Sequence, residues 1–437
     1  MYDQWTRAHL ARALASALLA GPWTEDEALA RAREALEERR RWLPWVVGEV
    51  FDAYHRPPLD RPRELATFVD RALARRRHAR RPPPEVRRWL PFEPAMARMP
   101  WPVPAIPSPG ALTELLRLDT ATLDWLADVR SLERRAADER LRNYAYAALP
   151  REHGPPRIIE RPKPRLKAVQ RRLLHEILDE IPAHPAAHGF TRGRSAVTHA
   201  RAHVGRHAVM RLDLEDFFAS VPAGRAYETF RAAGYPEAVA HMLTGLTTNV
   251  VPVAFWSGVS RPTDRGLIAS HHRLGRRLAF PHLPQGAPTS PALANLAAFG
   301  LDRRLSGLAA RLGLTYTRYA DDLTFSGPPS LVRAAPWLGH RVADIAESEG
   351  FRINPRKSSL VTRAGRQVVC GIVVNERPNV TRREYDELKA ILHNAARGAA
   401  GRPDAAHLLG RIAWVAAVNP ARGAKLRRRF EEIPWKA

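Results

Sequence analysis

Two adjacent aspartates, Asp321 and Asp322, lie in the stretch RYADDLTFSG between two short runs of β-forming residues. Side-by-side carboxylates repel, so either the pair sits at a solvated turn tip or a positive charge from outside the chain neutralises it. A second acidic cluster lies about 108 residues upstream in AVMRLDLEDFFASV, where a hydrophobic strand over Ala208–Leu214 delivers Asp213 at its end. Two strand-borne carboxylate sites are what a two-metal phosphoryl-transfer centre needs, with Mg2+ ions roughly 3.5–4 Å apart that activate an attacking oxygen and stabilise a leaving one. Mg2+ prefers hard oxygen ligands and takes few protein carboxylates besides substrate phosphates. The aspartates are adjacent, on this reading, because metal and phosphate complete the site.

The elements that must hold these carboxylates follow from pattern. LTYTRYADDLTFSG reads as strand–turn–strand, with β-branched and aromatic residues on both sides of Ala320-Asp321-Asp322. The surrounding stretch, about 144–375, is mixed α/β. Residues 1–80 read as helices: Thr24 and Glu27 form a capping box, Pro44 ends the run that follows, and another helix starts near Pro62 and enters the basic stretch Arg75–Arg81. Residues 81–110 contain ten prolines and read as an extended connector or surface-packed polyproline segment, which places the first domain boundary there. Helical pattern resumes at 111. The terminal region, 376–437, is helical and basic, with 13 Lys/Arg against 6 Asp/Glu from Arg377 to Ala437.

The 437 residues carry 69 Lys+Arg against 45 Asp+Glu, a formal charge of +24, which on a folded protein argues for a polyanionic partner such as nucleic acid. Six of the 69 basic residues are lysine, so each lysine carries more information than an arginine. One cysteine, Cys370, excludes an internal disulfide and a Cys-based zinc cluster, and His199, His203, His271 and His272 have no Cys near them to make a zinc site. No apolar run approaches the roughly 18–20 residues of a membrane span. His9 and Arg12 interrupt the N-terminal Ala/Leu stretch, which reads as an amphipathic helix and not a signal peptide, so a cytoplasmic location without membrane contact is expected.

The neighbours of the carboxylates carry a resemblance. YADD resembles the palm box of reverse transcriptases, and RLDLEDFF resembles their first metal-binding box. LPQGAPTSPALANLAA (283–298) is similar to the family's Pro-Gln-Gly box, GPPRIIERPKPRLKAVQRRLLHEIL to its fingers segment, and GFRINPRKSSL with VVCGIVVN to its last two palm boxes. The resemblance implies an α+β, right-hand polymerase of fingers and palm (111–375) with a helical thumb (376–437), preceded by a helical N-terminal region. It implies RNA-directed DNA polymerase activity with two Mg2+ ions, Mn2+ being an alternative. Asp213 and Asp321 would be the metal-bridging catalytic residues, with Asp322 supporting and Leu214 a further metal ligand, while Glu215 and Asp216 would be structural or solvated. Phe218 would be the steric gate against a ribose 2′-OH. Gln285 and Gly286 would line the nucleotide pocket, Gly286 because the backbone must approach the substrate closely. Arg157, Lys167 and Lys357 would meet the deoxynucleoside triphosphate, Arg151 stands where the family often has a lysine, and Tyr319 and Gly371 would contact primer and template.

Within the family the chain looks most like a retron reverse transcriptase. His199-Ala200-Arg201-Ala202-His203 sits where retron enzymes carry an Asn-Ala-x-x-His box, with the leading Asn replaced, and Val369-Cys370-Gly371 stands in place of a Val-Thr-Gly box. That resemblance implies binding of a structured noncoding RNA template, with His199, His203, Arg427, Arg428 and Arg429 as candidate RNA contacts. It also implies 2′-OH-primed synthesis of a cDNA that becomes multicopy single-stranded DNA, template removal by a host ribonuclease H, and anti-phage defence with an effector protein. The alternatives are a group II intron-like or other defence-associated reverse transcriptase, and an RNA-binding scaffold of the same fold, against which the intact Asp213, Asp321 and Asp322 speak.

Overall fold

The computed structural model describes residues 2–75, 84–136, 138–151, 154–397, 404–433 and 435. Four helices open the chain: α1 (Tyr2–Leu19), α2 (Glu25–Leu36), α3 (Leu43–Ala53) and α4 (Pro62–Ala74). Leu10, Leu14 and Leu18 recur every four residues and form one stripe of α1, which is buried with Val46, Val47 and Val50 of α3 and Leu65 and Val69 of α4. This core is separate from that of the rest of the chain.

Two local expectations need correction here. Thr24 is the N-cap of α2, but its hydroxyl donates to the Glu27 carboxylate at 2.9 Å and accepts no backbone N–H, so the reciprocal capping box is absent. The helix ends at Leu36, where Glu37 turns left-handed at φ 48°, and Pro44 lies in the first turn of α3. Proline suits that position because a first-turn N–H has no intrahelical partner to lose. Most of the basic stretch after Arg75 lies outside the described residues.

The proline-rich segment is a strap, the second of the two forms expected of it. Val86 and Phe92 pack on the N-terminal core, whereas Val103 and Ile106 are buried in the main core. Between them, Ala97 N–H donates to Gly234 O at 2.8 Å. A second contact joins the same two bodies: Glu237 accepts from the N–H groups of Arg63 (2.7 Å) and Glu64 (3.3 Å), capping α4 from the main body, and Arg231 pairs with Asp60 at 2.7 Å.

The expected palm is a four-stranded antiparallel sheet of β3 (Ala208–Leu214), β4 (Thr315–Tyr319), β5 (Asp322–Gly327) and β6 (Ile353–Thr362), in the order β4-β5-β3-β6. Ahead of it in the chain, β1 (Tyr144–Leu149) and β2 (Arg157–Pro162) form the antiparallel fingers hairpin. Leu212, Leu214, Leu323 and Phe325 turn into the main core together with Phe230, Leu243, Leu301 and Leu338 from the helices behind the sheet. The short hairpin of β7 (Val368–Val369) and β8 (Ile372–Val373) then leads to three helices, Arg382–Ala396, Ala405–Val418 and Pro420–Glu431. Leu388, Leu392, Leu408, Ile412 and Leu426 of those helices share a third core with Val369 and Ile372, so the thumb is rooted on the hairpin. This is an α+β polymerase architecture with a helical N-terminal region. Among the described residues, no helix is long and apolar enough to cross a membrane.

Candidate active site

The sheet register puts the carboxylates together. Asp213 of β3 is the cross-strand partner of Asp322 at the start of β5, and Leu214 N–H donates to Asp321 O at 2.9 Å, fixing the hairpin tip against the end of β3. Ala320 takes a left-handed φ of 55° to make that tip. Its carbonyl accepts from Arg318 Nη1 at 3.0 Å, and the Arg318 guanidinium is itself fully buried against Asp302 at 2.7–2.8 Å. Burial, followed by the nearby Asp213 charge, raises the proton affinity of Asp321. Burial does the same to Asp213, while Lys357 opposes it.

Three partners define the charge balance. Lys357 Nζ lies 3.0 Å from Asp213 Oδ1, and Asn354 Nδ2 donates to Asp213 Oδ2 at 3.3 Å, both from β6. Arg211, two residues before Asp213 and therefore on the same face of β3, reaches both oxygens of Asp322 at 3.1 Å. Among the described residues no group of three or more His, Cys, Asp or Glu side chains could hold a metal alone. The donor set nonetheless fits a hard divalent cation. Asp213 and Asp321 are carboxylates whose negative charges are disfavoured by burial and by neighbouring aspartates, and Mg2+ completes its shell with phosphate and water oxygens. Asp322 is paired with Arg211 as Asp213 is with Lys357.

The expected nucleotide residues differ in their surroundings. Phe218 packs partly buried on the main core, with its ring 5.6 Å from Phe217 and 6.2 Å from Phe190. The Gln285 carbonyl accepts from Glu160 N–H at 2.9 Å, tying the Pro-Gln-Gly loop to β2. Gly286 has φ 133°, and a Cβ there would lie 2.8 Å from Glu160 O. A close approach that requires glycine is therefore to the fingers strand. Beneath it, Glu160 holds His282 Nε2 at 2.9 Å and Asn249 Nδ2 at 2.7 Å. Burial would discharge His282, but the Glu160 carboxylate outweighs it and raises the imidazole's proton affinity. Arg151, just past the end of the hairpin's first strand, has its proton affinity lowered by burial and by Arg157, with Asp216, Asp321 and Asp213 opposing. Arg157 and Lys167 are exposed, on β2 and on the Pro164–Glu176 helix.

Gly371 (φ 79°) and Cys370 (φ 47°) form the two-residue turn between β7 and β8. Both central residues have positive φ, as a tight hairpin of this length demands. Burial and then the Asp322 charge push the Cys370 thiol up to about 12. Glu215 and Asp216 are structural: Arg273 grips Glu215 (3.0 and 3.2 Å) and Arg277 grips Asp216 (3.0 Å), both from the Arg265–Leu278 helix of the insertion. Arg427, Arg428 and Arg429 are exposed on the last helix, with Arg427 paired to Glu431 at 3.0 Å.

His199 and His203 are not placed to meet RNA. Both are 0% exposed beneath the hairpin. His203 bridges Ser326 Oγ and Thr317 Oγ1 at 2.7 Å each, and His199 Nδ1 lies 2.6 Å from the same Thr317 hydroxyl. Burial holds them neutral, down to about 2 for His199 and about 3 for His203. Their work is to buttress β4 and β5. Sequence reasoning missed Arg211, Asn354, Arg273, Arg277 and the Arg318–Asp302 pair. Strand alternation could have found Arg211, since it shares a face with Asp213.

The family model described as "Reverse transcriptase (RNA-dependent DNA polymerase)" matches residues 149–410. The retron Mx162 reverse transcriptase of Myxococcus xanthus is 37% identical over 75% of this chain and 67% of its own length. The chain belongs to the retron reverse transcriptases. The retron Mx65 reverse transcriptase of the same organism is 42% identical over 67% of this chain and 65% of its own length. The retron Ec86 reverse transcriptase of Escherichia coli is 30% identical over 70% of this chain and 81% of its own. The chain thus spans about two thirds of the length of the Myxococcus relatives it matches. As a retron-type reverse transcriptase, it keeps Asp213 and Asp321 within the matched region, whereas α1–α4 precede it.

Proposed function

We propose that this retron-type enzyme copies a structured noncoding RNA into single-stranded DNA that stays joined to the RNA through a 2′,5′ linkage. The observation that carries the polymerase reading is the register that sets Asp213 opposite Asp322 with Asp321 at the adjoining tip. Asp213 and Asp321, with the Leu214 carbonyl, would hold divalent ions, which when bound activate the attacking hydroxyl and stabilise pyrophosphate departure.

The chain's own residues bind and orient. Arg151, Arg157 and Lys167 present positive charge to the triphosphate from the fingers, and Lys357 is within reach of the same phosphates once it leaves Asp213. Phe218 excludes a 2′-OH, and Tyr319 adjoins the primer end. Initiation from an internal 2′-OH of the folded RNA makes the first step effectively intramolecular. The enzyme acts in the cytoplasm, with host ribonuclease H removing template and an effector protein acting in anti-phage defence.

The test is expression with the upstream noncoding region, followed by extraction of the DNA and treatment with a debranching enzyme. A mobility shift supports the retron product. DNA free of RNA, or carrying a 3′,5′ junction, removes it. Asp321→Asn should abolish DNA synthesis while RNA binding persists, and primer extension by that variant would remove Asp321 from the metal-holding residues.

A further inference from the structure

Phe190 combines two costs at one residue. Its backbone is left-handed at φ 58°, a conformation bulky L-residues avoid, and its ring remains 51% exposed. The surroundings fix this geometry. His188 N–H donates to Arg318 O at 2.7 Å, so the segment runs beside β4. Gly189 then lies so close to the hairpin that a Cβ would sit 2.6 Å from Ala320 N, and its carbonyl accepts from Asn295 Nδ2 at 2.8 Å. The ring is thereby set between two others, 6.2 Å from Phe218 and 6.3 Å from Tyr319. Backbone strain that the surrounding packing over-determines gathers at ligand clamps.

We propose that Phe190 is a binding residue of the polymerase site: with Phe218 and Tyr319 it forms an apolar floor against which the nascent base pair rests. The floor rests on the reading of Phe218 as the sugar gate and Tyr319 as the neighbour of the primer end. Its occupant is the incoming deoxynucleotide paired with the template base. Aromatic rings at this kind of surface hold bases and sugars through contact that tolerates any sequence. The strained backbone lifts the ring out of the core and aims it at the space between the two flanking aromatics. A residue placed there for packing alone would have its ring buried and its backbone relaxed.

Single-nucleotide extension of a DNA primer on an RNA template tests this, with a melting curve for each variant. Phe190→Asn accepts the left-handed backbone, so it should melt within about 2 °C of wild type. It should lose on the order of tenfold in kcat/KM, mostly through KM for the correct nucleotide, and extend mismatched ends relatively more often. Phe190→Tyr should restore both. A Phe190→Asn enzyme within twofold of wild type, or one whose loss lies in kcat alone with a lowered melting temperature, overturns the floor. Phe218→Ala measured alongside separates the two readings. If it still excludes ribonucleotides, the gate fails and takes the floor with it; if it admits them while Phe190→Asn is unaffected, the floor alone is wrong.

Discussion

Arg211 and Asp322 meet across neighbouring strands, with one guanidinium nitrogen 3.1 Å from each carboxylate oxygen. This pairing offsets one of three clustered negative charges, as Lys357 does at Asp213. Arg211→Met should therefore make the site more negative. The half-saturating Mg2+ concentration for primer extension should fall, by about tenfold for a ~1.4 kcal/mol change. Folding stability should change by less than about 1 kcal/mol, because the pair is partly solvated. A Mg2+ titration of the extension rate checks the first, and urea unfolding the second.

Phe218→Ala should admit ribonucleotides by removing the bulk that excludes a 2′-OH. Competition between a deoxynucleotide and its ribonucleotide in primer extension measures this. Equal exclusion by both proteins would make Phe218 a core residue, in keeping with its contact to Phe217.

The buried histidines predict an acid-sensitive hairpin. His199 and His203 are held at about 2 and about 3 by burial, with His188, Arg206, Arg211 and Arg318 adding repulsion. The native state takes up these two protons less readily than the unfolded chain. Stability is then complete above about pH 6.5 and declines as pH falls, by about 1.4 kcal/mol per unit for each histidine. Urea unfolding between pH 7.5 and 5 should show stability falling with pH, with His188, held at about 4, adding to the fall and Glu133, raised to about 7, opposing it. In His203→Gln the slope near pH 5 should be shallower by up to about one proton, and an unchanged slope would show that His203 already titrates normally.

The thumb arginines should set part of the salt dependence of RNA binding. Arg428 and Arg429 are exposed, whereas Arg427 is already paired with Glu431. Neutralising all three should lower the slope of log K against log salt by roughly 1.4–1.8, at about 0.7–0.9 for each of the two phosphates that Arg428 and Arg429 no longer neutralise. An unchanged slope would make this helix face a solvated surface.

What the sequence disclosed was local. Asp213 at a strand end, Asp321 in a turn and the order of boxes around them fall within short windows, and the sheet assembled as those windows required. Partner choice was hidden because it depends on register between distant strands. Arg211 meets Asp322 across 111 positions, and Lys357 meets Asp213 across 144. The register of β3 against β6 also shifts between Arg211 and Asp213, which no periodicity announces. His199 and His203 read as candidate RNA contacts, because their partners Thr317 and Ser326 lie more than a hundred residues away. Gly286 showed that a glycine is required but not which backbone approaches it.

The cap on α4 has a consequence for synthesis. Arg63 N–H finds its acceptor on Glu237, 174 residues later in the chain. At translation rates of about 5–20 residues per second, the helix waits roughly 10–35 s for that carboxylate. Through that interval the N-terminal domain has its apolar core but not its final seat, and the strap that joins it to the main body has one of its two anchorages. The order in which the ribosome releases the chain thus makes docking of the first domain a late event, timed by the emergence of the helix that carries Glu237.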